Sequence, residues 1–337
     1  MDYTEKQYVD IAKQEYEDFQ PGAPDTSYEV GDKFVIDKQK TTIGYVSEVW
    51  EDDSEKNARG LQGYVITKEK LPKNPSPKDL AKVSEVRVLF RGSTAPKLTT
   101  NLSVVNDILQ DWAVNDGPMA MRIIATQNDL NFTSNVKGKP VEQRATPQLL
   151  QAAKALKEVM KKYPNAMVNV DAHSLGSMDG QYSIADLDDK DIRRIKSAHF
   201  YNGPNTYPVL TDRQKKTVDS IKGRIINTFD EKDVVGLGYP VQGSAGAVGI
   251  IKRVDSKKVH FIKQHMWGGY EFTEKGDVRI KPGTEGQFYA DLTKAQFSEY
   301  RLRKQALSSG GYSTSEKIFL DSEQALIMSD NLNRPVS

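Results

Sequence analysis

Between residues 86 and 229 the chain alternates between short segments typical of β-strands and longer segments typical of amphipathic helices. The strand segments are rich in Val, Ile and aromatic residues, and the helix segments carry apolar residues at steps of three and four. Strands joined through helices at this spacing are expected to run parallel, with helices packed on both faces of the sheet. The strand segments are Val86–Phe90, Val168–Ala172, 197–202 and Arg224–Phe229, and the helix segments are 104–113, the stretch between Thr146 and Pro164, 177–186 and 211–221.

The two ends of the chain predict additions to this sheet. Residues 4–19 read as an amphipathic helix, and three strand segments with antiparallel character follow it. Residues 289–337 read as two helices separated by Ser308–Gly311. The predicted fold class is therefore α/β, with a mostly parallel central sheet, helices on both faces, N-terminal antiparallel strands and a C-terminal helical appendage. The three N-terminal strand segments are Lys33–Asp37, Thr42–Trp50 and Gly63–Thr67.

Charge and composition exclude several classes of function. The 337 residues include 47 Lys and Arg against 46 Asp and Glu, a formal net charge of +1, so no overall field recruits nucleic acid. Cysteine is absent, which excludes disulfides, Cys-ligated zinc and thiol catalysis. The beginning of the chain lacks the features of a signal peptide, and no apolar run approaches the roughly 18 residues of a membrane span. We expect a soluble protein, either cytoplasmic or secreted without a classical signal peptide.

The segment Val168–Gly176, with the sequence VNVDAHSLG, runs from a buried strand through a tight turn into a helix. Such a turn requires small residues two positions before and two positions after the serine, and here they are Ala172 and Gly176. The turn lifts the Ser174 hydroxyl above the sheet, and the N-terminus of the next helix points at the same place. Ser174 is therefore a candidate nucleophile.

A serine nucleophile needs a histidine as general base, which in this topology comes last along the chain. Of the four histidines, His173 abuts the serine and His199 lies on a predicted strand. His260 and His265 remain. His265 lies in a glycine-rich, loop-like segment and is preferred, whereas His260 falls in the alternating run 258–263, which is typical of a strand.

An acidic residue should orient the base, and it should follow a strand of the sheet and precede the histidine. Asp230 and Asp233, directly after the strand Arg224–Phe229, both meet this condition. The apolar residues Val234 and Val235 would pack Asp233 into the structure. Asp233 is therefore preferred, and Asp230 stays open as the alternative acid.

An oxyanion hole takes one N–H from the residue after the nucleophile and another from the loop after an early strand. The first residue is Leu175. The loop Arg91–Thr94 follows the strand Val86–Phe90, and Gly92 permits a close turn there. The hydroxyl of Ser93 could orient or donate, so Ser93 and Leu175 are the candidate oxyanion-hole residues.

Six segments occur in this order along the chain: Leu89–Ser93, Asp107–Asp116, Ala172–Gly176, Tyr201–Pro204, Ile225–Val235, and His265 with Tyr270. In this order they resemble motifs of the lipase class 3 group of α/β-hydrolases. The early helix and residues 60–64 are similar to the lead-in of its bacterial members. The resemblance covers about residues 1–275. Two positions depart from the family pattern, since Ala172 stands for a glycine and Ser177 for the second glycine after the serine.

The resemblance implies a carboxylic-ester hydrolase of the lipase or phospholipase A type, which would act on lipid acyl esters through an acyl-enzyme. It implies Ser174 as nucleophile, Asp233 as acid and His265 as base, with Ser93 and Leu175 as the oxyanion hole. Residues 1–275 would form the hydrolase domain. Residues 276–337 have no counterpart in the family, and we expect this helical extension to be a lid or a surface for a protein partner.

The alternative function is a secreted lipase-like effector or binding module on a hydrolase scaffold, controlled by a protein partner and with low or no turnover. The helical extension and the lack of a secretion signal motivate it. Retention of Ser, Asp and His in the expected order favours the enzyme. Either function leaves room for transient contact with a membrane surface.

Two further patterns look like parts of a phosphate or calcium site but lack required residues. We therefore expect no cofactor and no metal ion. The glycines of segment 243–249 have a spacing found in some phosphate loops, but the Lys-Ser/Thr pair and the strand–helix context are missing. The acidic run between Asp186 and Asp191 lacks the glycine and the terminal glutamate of a calcium loop. We interpret the first as a mobile loop or lid and the second as a solvated surface.

Overall fold

One eight-stranded sheet forms the centre of the molecule, and its strands lie side by side in the order of the chain. This computed structural model describes residues 3–15, 28–38, 40–50, 61–92, 145–233, 235–236 and 238–308. The strands are β1 (Lys33–Ile36), β2 (Thr41–Trp50), β3 (Gly63–Thr67), β4 (Glu85–Phe90), β5 (Met167–His173), β6 (Ile195–Tyr201), β7 (Ile225–Phe229) and β8 (Ile250–Arg253). The pairs from β1 to β4 are antiparallel, and the pairs from β4 to β8 are parallel.

Helices cover both faces of this sheet. They are α1 (Glu5–Lys13), α2 (Pro77–Leu80), α3 (Pro147–Lys162), α4 (Gly176–Ala185), α5 (Asp212–Ser220), α6 (Phe261–His265) and α7 (Glu285–Ser308). On one face, apolar side chains of α3, α4 and α5 form the main core with strand residues such as Val88 and Val170. On the other face, Ile11 of α1 packs with Tyr64 and Leu89. The predicted fold class is confirmed, namely α/β with a mostly parallel central sheet, helices on both faces, antiparallel N-terminal strands and a C-terminal helix.

The alternation of side chains along the strands explains the two faces. Val86, Val88 and Phe90 of β4 are buried in the main core, whereas Arg87 and Leu89 point to the face under α1. This second face is partly polar. Arg87 Nη1 pairs with the fully buried Asp171 of β5. Burial would raise the pKa of Asp171, but Arg87 and His199 together hold it below its ordinary value.

The structure corrects the sequence prediction at two places. Strand β8 was not predicted, because it has only four residues and follows a glycine-rich segment. Residues 258–263 were predicted as a strand, but they lead into the short helix α6, where the Gln264 N–H donates to the His260 carbonyl at 2.8 Å. His265 therefore ends a helix rather than lying in a loop. In the glycine-rich segment, the side-chain amide of Asn205 donates to the Gly246 carbonyl at 2.8 Å.

Several predicted features lie outside the described residues. They include residues 16–19 of the first predicted helix, the predicted helix 104–113, and the second of the two predicted C-terminal helices. Ser93 and the segment Asp107–Asp116 also lie there.

The described part of the C-terminal extension contacts the rest of the fold. Phe288 of α7 is buried, and Arg224 Nε donates to Glu299 Oε1 at 2.6 Å. The predicted boundary between the hydrolase domain (residues 1–275) and the extension (residues 276–337) lies inside a small turn, in which Phe272 pairs with Val278. Within the described ranges, no helix combines the length and the apolar character that crossing a membrane requires.

Candidate active site

Ser174 occupies the turn between β5 and α4. Its φ is +56°, in the left-handed region that residues other than glycine seldom adopt. The Ser174 N–H donates to the Tyr201 carbonyl at 2.9 Å, and the Ser174 carbonyl accepts from the Ser177 N–H at 3.0 Å. The strand, the sharp turn and the helix follow one another as the sequence pattern predicts.

Two glycines leave the space that this turn needs. A Cβ atom on Gly176 would lie 2.2 Å from the Phe90 carbonyl oxygen, and one on Gly203 would lie 2.3 Å from the Ser174 carbonyl oxygen. The same Cβ on Gly203 would lie 2.4 Å from the Cβ of Ser177. Gly203 therefore makes room for the side chain of Ser177.

A continuous chain of hydrogen bonds joins Ser174, His265 and Asp233. Ser174 Oγ lies 2.8 Å from His265 Nε2, and His265 Nδ1 lies 2.7 Å from Asp233 Oδ2. Because a carboxylate only accepts, we assign the ring proton to Nδ1, so that Nε2 accepts the hydrogen bond from the serine hydroxyl. The side chain of Asp233 is 1% exposed and that of His265 is 21% exposed, so water reaches the imidazole but not the carboxylate.

The Asp233 carboxylate is held on both sides. Its Oδ1 accepts from the Val235 N–H at 3.0 Å, while Oδ2 faces the imidazole of His265. The Asp233 N–H donates to the Asp230 carbonyl at 2.9 Å, which closes the turn after β7. The orientation of this carboxylate therefore depends on the backbone of its own turn.

Asp230 is fully buried and has a different set of partners. Its Oδ1 accepts from the Lys232 N–H at 2.9 Å and from the Ser256 hydroxyl at 2.8 Å. Its Oδ2 accepts from the side-chain amide of Gln264. The structure thus brings Asp233, and not Asp230, to the ring of His265. It likewise brings His265, and not His260, to the serine hydroxyl.

His173 and Trp267 pack beside the ring of His265. The His173 ring centroid lies 4.5 Å from that of His265 and 3.9 Å from that of Trp267. Burial lowers the pKa of His173 well below its ordinary value, and charge on His265 would lower it further. His173 is therefore neutral, and its Nε2–H donates to the His265 carbonyl at 2.8 Å.

Of the two residues predicted for the oxyanion hole, the structure describes Leu175 but not Ser93. Leu175 directly precedes α4, and its N–H belongs to the first turn, where helix N–H groups lack partners within the helix. The positive end of the helix dipole lies at the same place. Ser93 lies outside the described residues, which end at Gly92 on this side.

Sequence reasoning missed Asn202 as a residue of the site. Its side-chain Nδ2 donates to the His265 carbonyl at 3.1 Å, and its Oδ1 accepts from the Tyr270 hydroxyl at 2.9 Å. The available signal was its place between the end of β6 and Gly203, in one of the segments that resemble the family. Within the part of the chain that the structure describes, no group of three or more His, Asp or Glu side chains could hold a metal ion.

Comparisons with known proteins give distant structural likenesses. No family model matches the chain, and no curated protein sequence matches it either. A solved structure of a mutant form of MDLA from Penicillium cyclopium is 17% identical with a TM-score of 0.37, over 86% of this chain and 87% of that chain. A Rhizomucor miehei lipase in complex with its propeptide is 15% identical with a TM-score of 0.36, over 74% of this chain and 67% of that chain.

The Lip2 lipase of Yarrowia lipolytica is 14% identical with a TM-score of 0.39, over 84% of this chain and 92% of that chain. Likenesses at this level carry no inference about activity or substrate. The fold assignment given above therefore rests on the strand order, the strand directions and the helices of this chain itself.

Proposed function

We propose that the protein is a serine carboxylic-ester hydrolase that works through an acyl-enzyme. The observation that carries the proposal is the pair of hydrogen bonds that joins Ser174 Oγ to His265 Nε2 and His265 Nδ1 to Asp233 Oδ2. In this proposal Ser174 is the nucleophile, His265 the general base and Asp233 the acid that orients it.

Acylation would begin with attack of Ser174 Oγ on the ester carbonyl carbon while His265 Nε2 takes the hydroxyl proton. Asp233 holds the imidazole by its Nδ1–H and stabilises the imidazolium that forms. The Leu175 N–H would donate to the oxyanion, and Ser93 is proposed for the second donation. The intermediate then collapses, the bond to the alcohol oxygen breaks, and His265 gives its proton to the departing alcohol.

Deacylation repeats these steps with water. His265 Nε2 removes a proton from a water molecule, whose oxygen attacks the acyl carbon of the acyl-serine. The bond to Ser174 Oγ breaks, and His265 returns the proton to this oxygen. The carboxylic acid leaves, and the enzyme is ready for the next ester.

Lipid acyl esters are the substrate class that we propose, which makes the enzyme a lipase or a phospholipase A. The support is the order of sequence segments that resemble lipase class 3 motifs, from Leu89–Ser93 to His265 with Tyr270. The residues 276–337 are proposed as a lid or a partner surface. Their described part, including α7, lies against the sheet domain.

The test measures hydrolysis of short and long p-nitrophenyl esters, triacylglycerol emulsions and phosphatidylcholine vesicles. Wild type is compared with Ser174→Ala and with Ser183→Ala, a matched change at a buried serine further along α4 whose hydroxyl donates to the Asp179 carbonyl. We expect Ser174→Ala to lose at least about 1,000-fold in rate, and Ser183→Ala to keep wild-type activity. The substrate panel separates esterase, lipase and phospholipase.

A fluorophosphonate probe provides a second readout that needs no knowledge of the substrate. Attack of Ser174 Oγ on phosphorus would form an O–P bond and expel fluoride, and the adduct is located by mass spectrometry. Wild type that neither hydrolyses any ester nor reacts at Ser174 would refute the enzyme and favour the alternative, a binding module controlled by a protein partner.

A further inference from the structure

Asn202 lies where the three segments of the candidate site meet. It directly follows β6, is 1% exposed, and has a φ of +48°. Asparagine tolerates this left-handed conformation better than most residues other than glycine. The chain thus turns sharply at the end of β6 and keeps the Asn202 side chain inside the protein.

The side-chain amide of Asn202 connects the segment of the base to the segment of the acid. Its Nδ2 donates to the His265 carbonyl at 3.1 Å. Its Oδ1 accepts from the Asp230 N–H at 3.2 Å, at the start of the turn that carries Asp233. Oδ1 also accepts from the Tyr270 hydroxyl at 2.9 Å.

The two neighbours of Asn202 contact the segment of the nucleophile. The Tyr201 carbonyl accepts from the Ser174 N–H at 2.9 Å, and Gly203 is so close to the Ser174 carbonyl that no Cβ fits between them. Residues 201–203 therefore touch all three segments, and Asn202 supplies the contacts to two of them.

We propose that Asn202 is a positioning residue that holds His265 and the Asp233 turn in register with Ser174. This inference rests on the hydrolase function proposed above. Proton transfer requires the base within hydrogen-bond distance of the nucleophile, and a displacement of about 1 Å can cost about 100-fold in rate. Asn202 binds the backbone of His265 and of the turn that carries Asp233. It therefore fixes where the imidazole and the carboxylate lie, although it does not itself touch the substrate.

An amide is suited to this role because it offers a donor and an acceptor in one rigid plane. A carboxylate in the same place could not donate to the His265 carbonyl and would add charge near Asp230 and Asp233. A glycine would keep the backbone conformation but provide neither contact. These two replacements therefore separate the side-chain contacts from the backbone turn.

The test measures kcat, KM and the rate of fluorophosphonate labelling for Asn202→Gly and Asn202→Asp. We expect kcat and the labelling rate to fall by about 10- to 100-fold while KM stays near its wild-type value. A purely structural role would lower the amount of folded protein and the unfolding temperature, but not kcat per labelled site. Each variant is assayed where its near-ultraviolet circular dichroism matches that of wild type.

Asn205→Ala is the matched control. Asn205 is also buried, and its amide also joins separate segments, donating to the carbonyls of Gly238 and Gly246 at 2.8 Å. None of these partners belongs to the proposed triad. We expect this variant to unfold at a lower temperature and to keep the wild-type kcat.

The outcomes separate this inference from the proposed function. A wild type that is inactive and unlabelled refutes the function, and the inference with it. An active wild type together with a folded Asn202→Gly or Asn202→Asp variant of normal kcat refutes the positioning role alone. If neither variant folds at any temperature, or if Asn205→Ala loses as much kcat, Asn202 belongs to the stability of the fold and the proposal is wrong.

Discussion

Asp230 and Asp233 are three residues apart and both buried, yet their carboxylates meet different kinds of partner. Asp233 faces the imidazole of His265 and a backbone N–H. Asp230 accepts from a backbone N–H, the Ser256 hydroxyl and the Gln264 amide. The Asp233 carboxylate is placed to orient the imidazole of His265, and the Asp230 carboxylate holds together the segment that carries His265.

This difference predicts opposite effects of the same substitution. Asp233→Asn should lower kcat by up to about 10,000-fold with little loss of stability, because an amide does not hold the imidazole in the required tautomer. Asp230→Asn should lower the free energy of unfolding by about 1–3 kcal/mol, because one amide N–H would face donors only. Ester hydrolysis and urea unfolding of both variants provide the measurement. A dead Asp230→Asn enzyme beside an active Asp233→Asn enzyme would reverse the assignment.

At the scale of elements, the start of α4 lies against the end of β4. A Cβ on Gly176 would lie 2.2 Å from the Phe90 carbonyl oxygen, so this close approach exists only because position 176 is glycine. The same approach places the N-terminus of α4 beside Ser174 and beside the strand that leads toward Ser93. The packing of one helix on one strand thus fixes the position of the Leu175 N–H, which we propose as one donor of the oxyanion hole.

Gly176→Ala should therefore push α4 away from β4. We expect a loss of about 1–3 kcal/mol in the free energy of unfolding and a fall of about 100-fold in kcat, because the nucleophile shifts with the helix. Gly286→Ala is the control, since nothing lies within 4 Å of its added Cβ, and alanine in helix α7 should leave stability equal or higher. Equal kcat in both variants would show that the approach does not matter for the reaction.

At the scale of the whole molecule, α7 is joined to the sheet domain by a buried ion pair. Arg224 Nε donates to Glu299 Oε1 at 2.6 Å, and the two side chains are 7% and 11% exposed. Arg224 lies directly before β7, the strand that leads to Asp230 and Asp233. The described part of the C-terminal extension therefore contacts the residue directly before β7, and the acid proposed for the site lies in the turn that follows the same strand.

Glu299→Gln should lower the free energy of unfolding of the entire protein by about 3 kcal/mol, because it removes the negative charge from a buried ion pair with Arg224. We expect a single thermal transition at a lower temperature. Glu158→Gln is the control, since Glu158 is an exposed residue of α3 whose ion pair with Lys154 lies on the surface. Two separate transitions, or an unchanged unfolding temperature, would mean that the extension unfolds on its own.

Much of the fold could be predicted from the sequence because strands and helices have local signatures. The β-branched and aromatic residues of β4 and the capping residue Thr4 of α1 are signals carried by a few neighbouring residues. Strand β8 was missed because four residues carry too little pattern, and its pairing with β7 comes from outside the segment. The run 258–263 alternates, but no strand among the described residues pairs with it, and its second half lies in helix α6.

By itself the sequence determined the order of the elements and the strand–turn–helix around Ser174. It also placed Ser, Asp and His in the expected order along the chain, with two candidates for the acid and two for the base. The tertiary structure decided which acid meets which base, because that depends on hydrogen bonds between segments far apart along the chain. Asn202 shows the reason. Its amide joins the His265 carbonyl to the Asp230 N–H, and no pattern of neighbouring residues encodes the distance between those two groups.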